Sequence, residues 1–343
     1  MTSIRTVKRA GLLVVAAAAS FALAACSGGG SGSTGDTAED SKPAAAGVDP
    51  HAPEVDTITG PQYRQNSALP FLAAEASGVA ADYGITLKPV WAESSLSALT
   101  QLMSGEGQIA SVSTWSTVDA VNQGMDIRIV GEIFRSVPDA QTLEVLPDSG
   151  INGLADLQGK KVAVIGLKSG HEGRIVYAMI KEGLDPSKVE FVSLPFGEMA
   201  AALEQHTVDA VSVTGPFQEQ VRQQLGSKKV FDYGDGLFAG FPDMQWVTSG
   251  EFADNNPNAV AAFQCAVVIK GAKMMTEDDW YDNMARDGLG WDDKTIASTP
   301  FVDYPGTNDA KRIQMIPDIM YTNGWIDKEF DVSKITVPLP DNC

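Results

Sequence analysis

From about residue 54 to residue 250 the apolar positions switch repeatedly between short strand-like runs and a helical period, with a polar or glycine-bearing turn at each switch. Val55–Thr59 alternates until the Gly60-Pro61 break, and a helix entered near Ser67 carries Leu69, Leu72, Ala73, Ala76, Val79, Ala80 and Tyr83 on one face up to Gly84. Pro70 suits its first turn, where a missing N–H costs nothing. Ile85–Trp91 is the next strand, and Ser94-Ser95 offers an N-cap to a helix bearing Leu96, Leu99 and Met103. Ile109–Ser113 is a strand, a helix runs from Thr114 to Gly124, and Asp126–Ile133 is a fourth strand.

The same beat resumes after Pro147-Asp148-Ser149-Gly150. Strands are expected at Val162–Ile165, Glu190–Leu194, Ala210–Val213 and Lys229–Phe231, with helices at Arg174–Glu182, Gly197–Gln205 and Pro216–Leu225 between them. Such alternation predicts an α/β protein with parallel sheets. Gln245–Thr248 reads as a returning strand, and the helices Asn258–Met275 and Ile313–Asn323 are assigned to the first lobe. The expected division is lobe 1 at 54–146 and 247–343 and lobe 2 at 147–246, with two chain crossings, near Leu143–Pro147 and Pro242–Thr248, forming a hinge.

The amino terminus changes the picture of where the protein works. Arg5, Lys8 and Arg9 precede the apolar run Ala10–Ala22, the pattern of an export signal over residues 1–25. Leu23-Ala24-Ala25-Cys26 resembles the lipobox of bacterial lipoproteins, which implies a lipid on Cys26 and anchorage at the outer face of the cell membrane, as in Gram-positive bacteria. Residues 26–53, rich in Gly, Ser, Thr, Ala and Pro, are expected to be a flexible tether. The remaining stretch of about 290 residues is long enough for two lobes.

Net charge is −19, and removal of the signal, which holds three bases and no acid, takes it to −22. Nucleic acid and anionic membrane surfaces are therefore poor partners. Cys265 and Cys343 are a candidate disulfide in an exported chain, and their proximity is open at this level.

The run Ile151-Asn152-Gly153-Leu154-Ala155-Asp156-Leu157-Gln158-Gly159-Lys160-Lys161-Val162-Ala163 resembles the entry to the second lobe of solute-binding proteins of ABC importers, in the branch serving nitrate, sulfonate, taurine and thiamine-pyrimidine uptake. Gly183-Leu184-Asp185-Pro186, Glu198–Leu203, Val208-Asp209-Ala210 and Ala120–Gly124 are similar to the same family in order and spacing. The resemblance implies the two-lobe periplasmic binding protein fold (type II), a small-molecule ligand, a membrane permease as partner, and a monomer that binds rather than catalyses. The run departs from the family at Val213-Thr214-Gly215-Pro216, where many relatives carry Trp or Glu before the proline.

In open parallel sheets ligands bind outside the carboxyl ends of strands. Those ends place Tyr63, Ser94, Ser95, Ser113, Trp115, Ser116, Ser169, Gly170, His171 and Thr214 as candidate ligand residues, joined by Arg135 and by Trp246 at the return crossing. Hydroxyls and unpaired N–H groups at helix starts suit oxyanions; for each hydroxyl a plain N-cap, and for each aromatic a core role, remains open. A neutral imidazole at His171 fits a helix start better than a cation. G-x-S-x-G, H-E-x-x-H, Walker and G-x-G-x-x-G patterns are missing, and no cofactor or metal is expected. An alkyl sulfonate or similar small organic anion is the first ligand expectation and a pyrimidine or other aromatic molecule the second. A ligand sensor and an enzyme of the thiamine-pyrimidine type on this fold are remoter alternatives.

Overall fold

A computed structural model describes residues 47–277 and 279–343. The expected signal, the lipobox with Cys26 and the tether as far as residue 46 lie outside the described residues. The tether was expected to reach residue 53, but Asp49 N–H donates to Asn258 Oδ1 at 2.9 Å, Asn258 Nδ2 donates to the Ala52 carbonyl, and His51 stacks on Tyr83. These contacts hold residues 49–52 on the body, so the ordered part starts earlier than composition suggests.

Among the described residues ten strands form the framework: β1 Thr57–Tyr63, β2 Thr86–Ala92, β3 Ile109–Ser113, β4 Ile127–Arg135, β5 Gln141–Val145, β6 Lys161–Val164, β7 Glu190–Ser193, β8 Ala210–Thr214, β9 Lys228–Asp232 and β10 Pro242–Ser249. In lobe 1, β1 pairs with β2 in parallel, and β10 lies antiparallel between β3 and β4. β1 runs through the Gly60-Pro61 pair that was expected to end it. On the side of β1 facing β3, side chains replace the interrupted ladder: Gln108 Oε1 accepts from Thr59 N–H at 2.7 Å and Ser111 Oγ from Tyr63 N–H at 3.0 Å. The lobe therefore reads β2-β1-β3-β10-β4. Lobe 2 is one sheet of order β7-β6-β8-β5-β9, the same arrangement with an antiparallel strand fourth.

Those two antiparallel strands correct the sequence reading. β5 was not foreseen; it belongs to lobe 2 through β8 and β9, whereas β10 belongs to lobe 1. The crossings consequently lie at residues 136–140 and 233–241, earlier than the expected 146/147 and 246/247 boundaries, and the sheets are mixed rather than parallel. Each crossing strand reverses direction on entering its new sheet, which a strand's own composition does not reveal.

The helix expected from Ser67 to Tyr83 is broken at Gly78, which adopts φ 82°, into Leu69–Ala76 and Val79–Asp82. A helical run from Pro257 to Met274, with a π segment at Gln264–Gly271, lies so close to β4 that a Cβ at Gly131 would meet Val268 at 2.4 Å. Gln264 Nε2 donates to the Val130 carbonyl at 2.9 Å across this contact. The helix Met315–Thr322 packs against both Thr114–Asn122 of lobe 1 and Gly170–Lys181 of lobe 2, rather than on the first lobe alone. Its Ile316, Ile319 and Met320 share one core with Trp115 and Ile175.

The carboxyl-terminal tail then covers the edge of β4, with Ile129 N–H donating to the Ile335 carbonyl and Val337 N–H to that of Ile129. It ends in a disulfide between Cys343 and the fully buried Cys265, closing a separation of 78 residues. Reducing this bond releases a long loop, so Cys265→Ser with Cys343→Ser is expected to lower unfolding free energy by roughly 2–4 kcal/mol. Urea denaturation of the oxidised and reduced protein measures it; equal midpoints would show that the tail holds without the bond.

Candidate functional site

The carboxyl ends of β3, β6 and β8 and of their neighbours face one cleft of about 640 Å³ at the crossings. Five helices start at its wall: Ser95–Met103 and Thr114–Asn122 from lobe 1, and Gly170–Lys181, Phe196–Glu204 and Pro216–Leu225 from lobe 2. Each helix start carries orphan N–H groups and the positive end of its dipole. Positive dipole ends thus converge on the cleft, in a chain of net charge −19.

The structure brings ten of the expected residues to this wall: Tyr63, Ser94, Ser95, Ser113, Trp115, Ser116, Ser169, Gly170, His171 and Thr214. Several hydroxyls are already engaged locally. Ser94 Oγ caps Ser97 N–H and Ser113 Oγ caps Ser116 N–H, each at 3.1 Å; Ser95 Oγ accepts from Ser113 N–H; Thr214 Oγ1 donates to the Ala140 carbonyl. Ser169 differs, since its helix start has no side-chain cap and its buried hydroxyl has no partner among the described residues. The indole N–H of Trp115 is likewise buried without a partner. Burial also pushes the Tyr63 phenol up.

Two expected residues are elsewhere. Arg135 is turned inward to Glu132, with Nε–Oε1 3.1 Å and Nη2–Oε2 2.8 Å, and donates to Thr307 Oγ1, so its planar fork serves an internal carboxylate. Trp246 is fully buried among Phe71 and Phe263 in the lobe 1 core. It lies on β10, whose alternation sends Met244 and Trp246 into the same core.

Trp115 also explains Gly173 in the Gly170-His171-Glu172-Gly173 turn. Its ring reaches from lobe 1 onto the lobe 2 helix, where a Cβ at Gly173 would approach it to 2.3 Å. Trp325 packs edge-on against the same indole, with centroids 5.6 Å apart, and Asn323 Nδ2 donates to the Gly173 carbonyl. Gly173 is therefore needed for contact between the lobes, whatever fills the cleft.

The main group that sequence reading missed is Arg174. It is 1% exposed, lies one helical turn past Gly170, and all three guanidinium nitrogens are engaged. Nε donates to the Gly170 carbonyl, Nη1 to Ser136 Oγ and the Tyr233 carbonyl, and Nη2 to Gln141 Oε1, while Nη2 also pairs with Asp243 Oδ1 at 3.0 Å. Tyr233 and Phe241 cover its faces. These partners come from both crossings and from the start of β10. Burial pushes the Asp243 carboxyl up against the opposing pull of Arg174 and Ser136. One sequence signal was present: Arg174 falls on the same face as His171 and Ala178, an inward-facing base on an apolar stripe. Residues beyond 290 also reach the wall, as Thr299, Pro300 and Val302.

His171 lies over this network. Its Nδ1 is 2.5 Å from Ser212 Oγ, and its ring packs against Phe196 and Tyr233. Desolvation, reinforced by the Arg174 charge, pushes its imidazole from 6.5 down to about 3.

A family model described as NMT1/THI5 like matches residues 65–279. No curated protein matches the sequence. Among solved structures, the periplasmic aliphatic sulphonate binding protein SsuA of Escherichia coli superposes with TM-score 0.68 at 19% identity, over 82% of this chain and 97% of its own. The alkanesulfonate-binding protein SsuA of Xanthomonas axonopodis pv. citri, bound to MOPS, gives 0.68 at 17% over 84% and 100%. The periplasmic nitrate-binding protein NrtA of Synechocystis PCC 6803 gives 0.61 at 19% over 83% and 87%. These likenesses establish the two-lobe, type II periplasmic binding protein fold.

Asp243→Ala leaves the Arg174 charge buried and unpaired, and is expected to cost about 3–5 kcal/mol in urea denaturation; a loss under 1 kcal/mol would mean water already shares that charge. The His171 shift sets a second expectation. Because the unfolded imidazole takes a proton near 6.5 and the folded one only near 3, this stability term is complete above 6.5 and is lost as pH falls from 6.5 towards 3. Urea midpoints at pH 7 and 4.5 should fall more for the wild type than for His171→Gln; equal falls would show an ordinary, solvated histidine.

Proposed function

The chain belongs to the NMT1/THI5-like family, and from that premise we propose that it is the extracytoplasmic substrate-binding component of an ABC importer, closing its lobes on a small organic anion such as an alkyl sulfonate. The observation that carries the reading is the convergence of five helix starts, from both lobes, on one cleft at the crossings. A ligand bonded to N–H groups and hydroxyls of both lobes stabilises the closed arrangement over the open one, and a permease can distinguish the two shapes. The ligands of the SsuA and NrtA neighbours, sulfonates and nitrate, support an anion.

An aromatic or heteroaromatic ligand such as a pyrimidine is the second reading. It is favoured by the Tyr63, Trp115, Phe196 and Phe241 walls, and by the commitment of the Arg174 guanidinium to Asp243 and its neighbours. We read the site as binding rather than chemical, because the Ser212 hydroxyl beside His171 is fully buried in β8 and is not part of the cleft wall. The signal and lipobox residues support anchorage through a lipid on Cys26 at the outer membrane face, with the protein working as a monomer beside its permease. No described helix is long and apolar enough to cross a membrane.

Thermal unfolding with ethanesulfonate, benzenesulfonate, nitrate and a pyrimidine tests the ligand class, since a ligand at 100 times its Kd adds about 2.7 kcal/mol. Ethanesulfonate or benzenesulfonate is expected to raise the midpoint in a saturable way and Ser169→Ala to weaken that shift. A shift from the pyrimidine alone would move the assignment to the second reading, and turnover of any of them would overturn the transport role. Release of Cys26→Ser protein from cell membranes checks the anchor; retention would exclude it.

A further inference from the structure

The cleft wall contains one side chain whose hydrogen-bonding sense is set from behind. His171 Nδ1 faces Ser212 Oγ at 2.5 Å, and Ser212 is fully buried in the middle of β8. Tyr233, at the second crossing, is also fully buried, and its ring lies 5.2 Å from that of His171. The Tyr233 hydroxyl has no hydrogen-bond partner among the described residues. The shared hydrogen bond is therefore that of Ser212 Oγ and Nδ1, and its proton comes either from the buried hydroxyl or from the ring.

Proton counting selects one order. If Nδ1 carried the proton and donated to Ser212, the Ser212 proton would be buried with no acceptor among the described residues, a cost of about 1–3 kcal/mol. In the reverse order Ser212 O–H donates to Nδ1, and the hydroxyl proton is used. The ring proton then sits on Nε2, which has no protein partner among the described residues, on a ring that lines the cleft. The charged groups around the ring do not favour an imidazolium. Arg174 stands one turn along the same helix, engaged with Asp243, and the Glu172 carboxylate accepts from Lys168 N–H at 2.6 Å.

We propose that the buried Ser212 hydroxyl, by donating to Nδ1, holds neutral His171 as an Nε2–H donor, so that this residue demands a hydrogen-bond acceptor on the ligand. The proposal rests on the cleft being the ligand site. Oxygens of a sulfonate, a carboxylate or a ring carbonyl satisfy the donor, whereas a ligand presenting only ammonium or amide N–H groups there meets a donor with a donor. His171 reads the acceptor, and Ser212 is a positioning residue that acts through it. Specificity then comes from asymmetry: a donor that a bound ligand covers without accepting from it penalises the wrong partner more than it rewards the right one.

The tautomer is measured without ligand by proton–nitrogen correlation spectra of the full chain labelled with [15N]histidine, the His171 signals being assigned by their loss in His171→Gln. An Nε2–H tautomer is expected at pH 7, turning into a mixture in Ser212→Ala. An Nδ1–H tautomer or an imidazolium in the wild type overturns the proposal, as does an unchanged pure Nε2–H tautomer in Ser212→Ala. Should Ser212→Ala fail to fold, the wild-type spectrum decides it. Calorimetric titration with ethanesulfonate forms the second arm, with an expected loss of about tenfold in affinity in Ser212→Ala; undiminished affinity overturns the specificity role. If wild-type protein ignores ethanesulfonate, the sulfonate reading fails while the spectra still judge the tautomer.

Discussion

The buried pair of Arg174 and Asp243 is the constraint on which the arrangement of the two lobes depends. Taking both charges out of water is costly, and the cost is offset only when geometry and further hydrogen bonds are good. Here the guanidinium of a lobe 2 helix must find Ser136 on the first crossing, Tyr233 on the second, Gln141 on β5 and Asp243 on β10 at the same time. No lobe can supply that set alone. The crossings are therefore held by polar contacts as well as by chain connectivity, and the floor of the cleft is built from groups already paired with one another.

That self-pairing shapes what remains for a ligand. With Arg174 engaged and His171 neutral, the positive character of the wall comes chiefly from helix starts and from hydroxyls. Apolar side chains surround them from both lobes, with Leu96 and Leu167 68% and 59% exposed at the wall. A polar head directed at the helix starts and an apolar or aromatic body lying against these side chains would use both kinds of surface. Trp115, Gly173 and Trp325 form a packed contact between the lobes beside the cleft, and the helix Met315–Thr322 braces it.

Much of this was legible along the chain. Strand-end serines, the Ser169–His171 turn and the beat of strand and helix are local features, and ten candidate residues lie on one wall because a strand's carboxyl end and the following helix start are adjacent in sequence. The misreadings have a common origin. Trp246 and Arg135 were judged by position near a strand end, but which face of a strand meets the core and which carboxylate is opposite depend on pairing across sheets. β5 was missed because a crossing strand takes its direction from β8 and β9, which lie some 65 to 90 residues away. The packing role of Gly173 was not read because its neighbours, Trp115 and Trp325, are remote in sequence.

The sequence by itself determined the α/β class, the two-lobe division, the helix starts that face the cleft and the resemblance to importer binding proteins, since each rests on local periodicity or on short runs of residues. Tertiary structure alone decided the lobe boundaries, the closing of Cys265 to Cys343, the burial of Arg174 against Asp243 and the placing of Ser212 behind His171. The reason is physical: backbone periodicity is set by neighbours within a few residues, whereas desolvation and charge pairing are set by whatever the fold brings within a few ångströms, across 69 positions for Arg174 and Asp243 and 41 for His171 and Ser212.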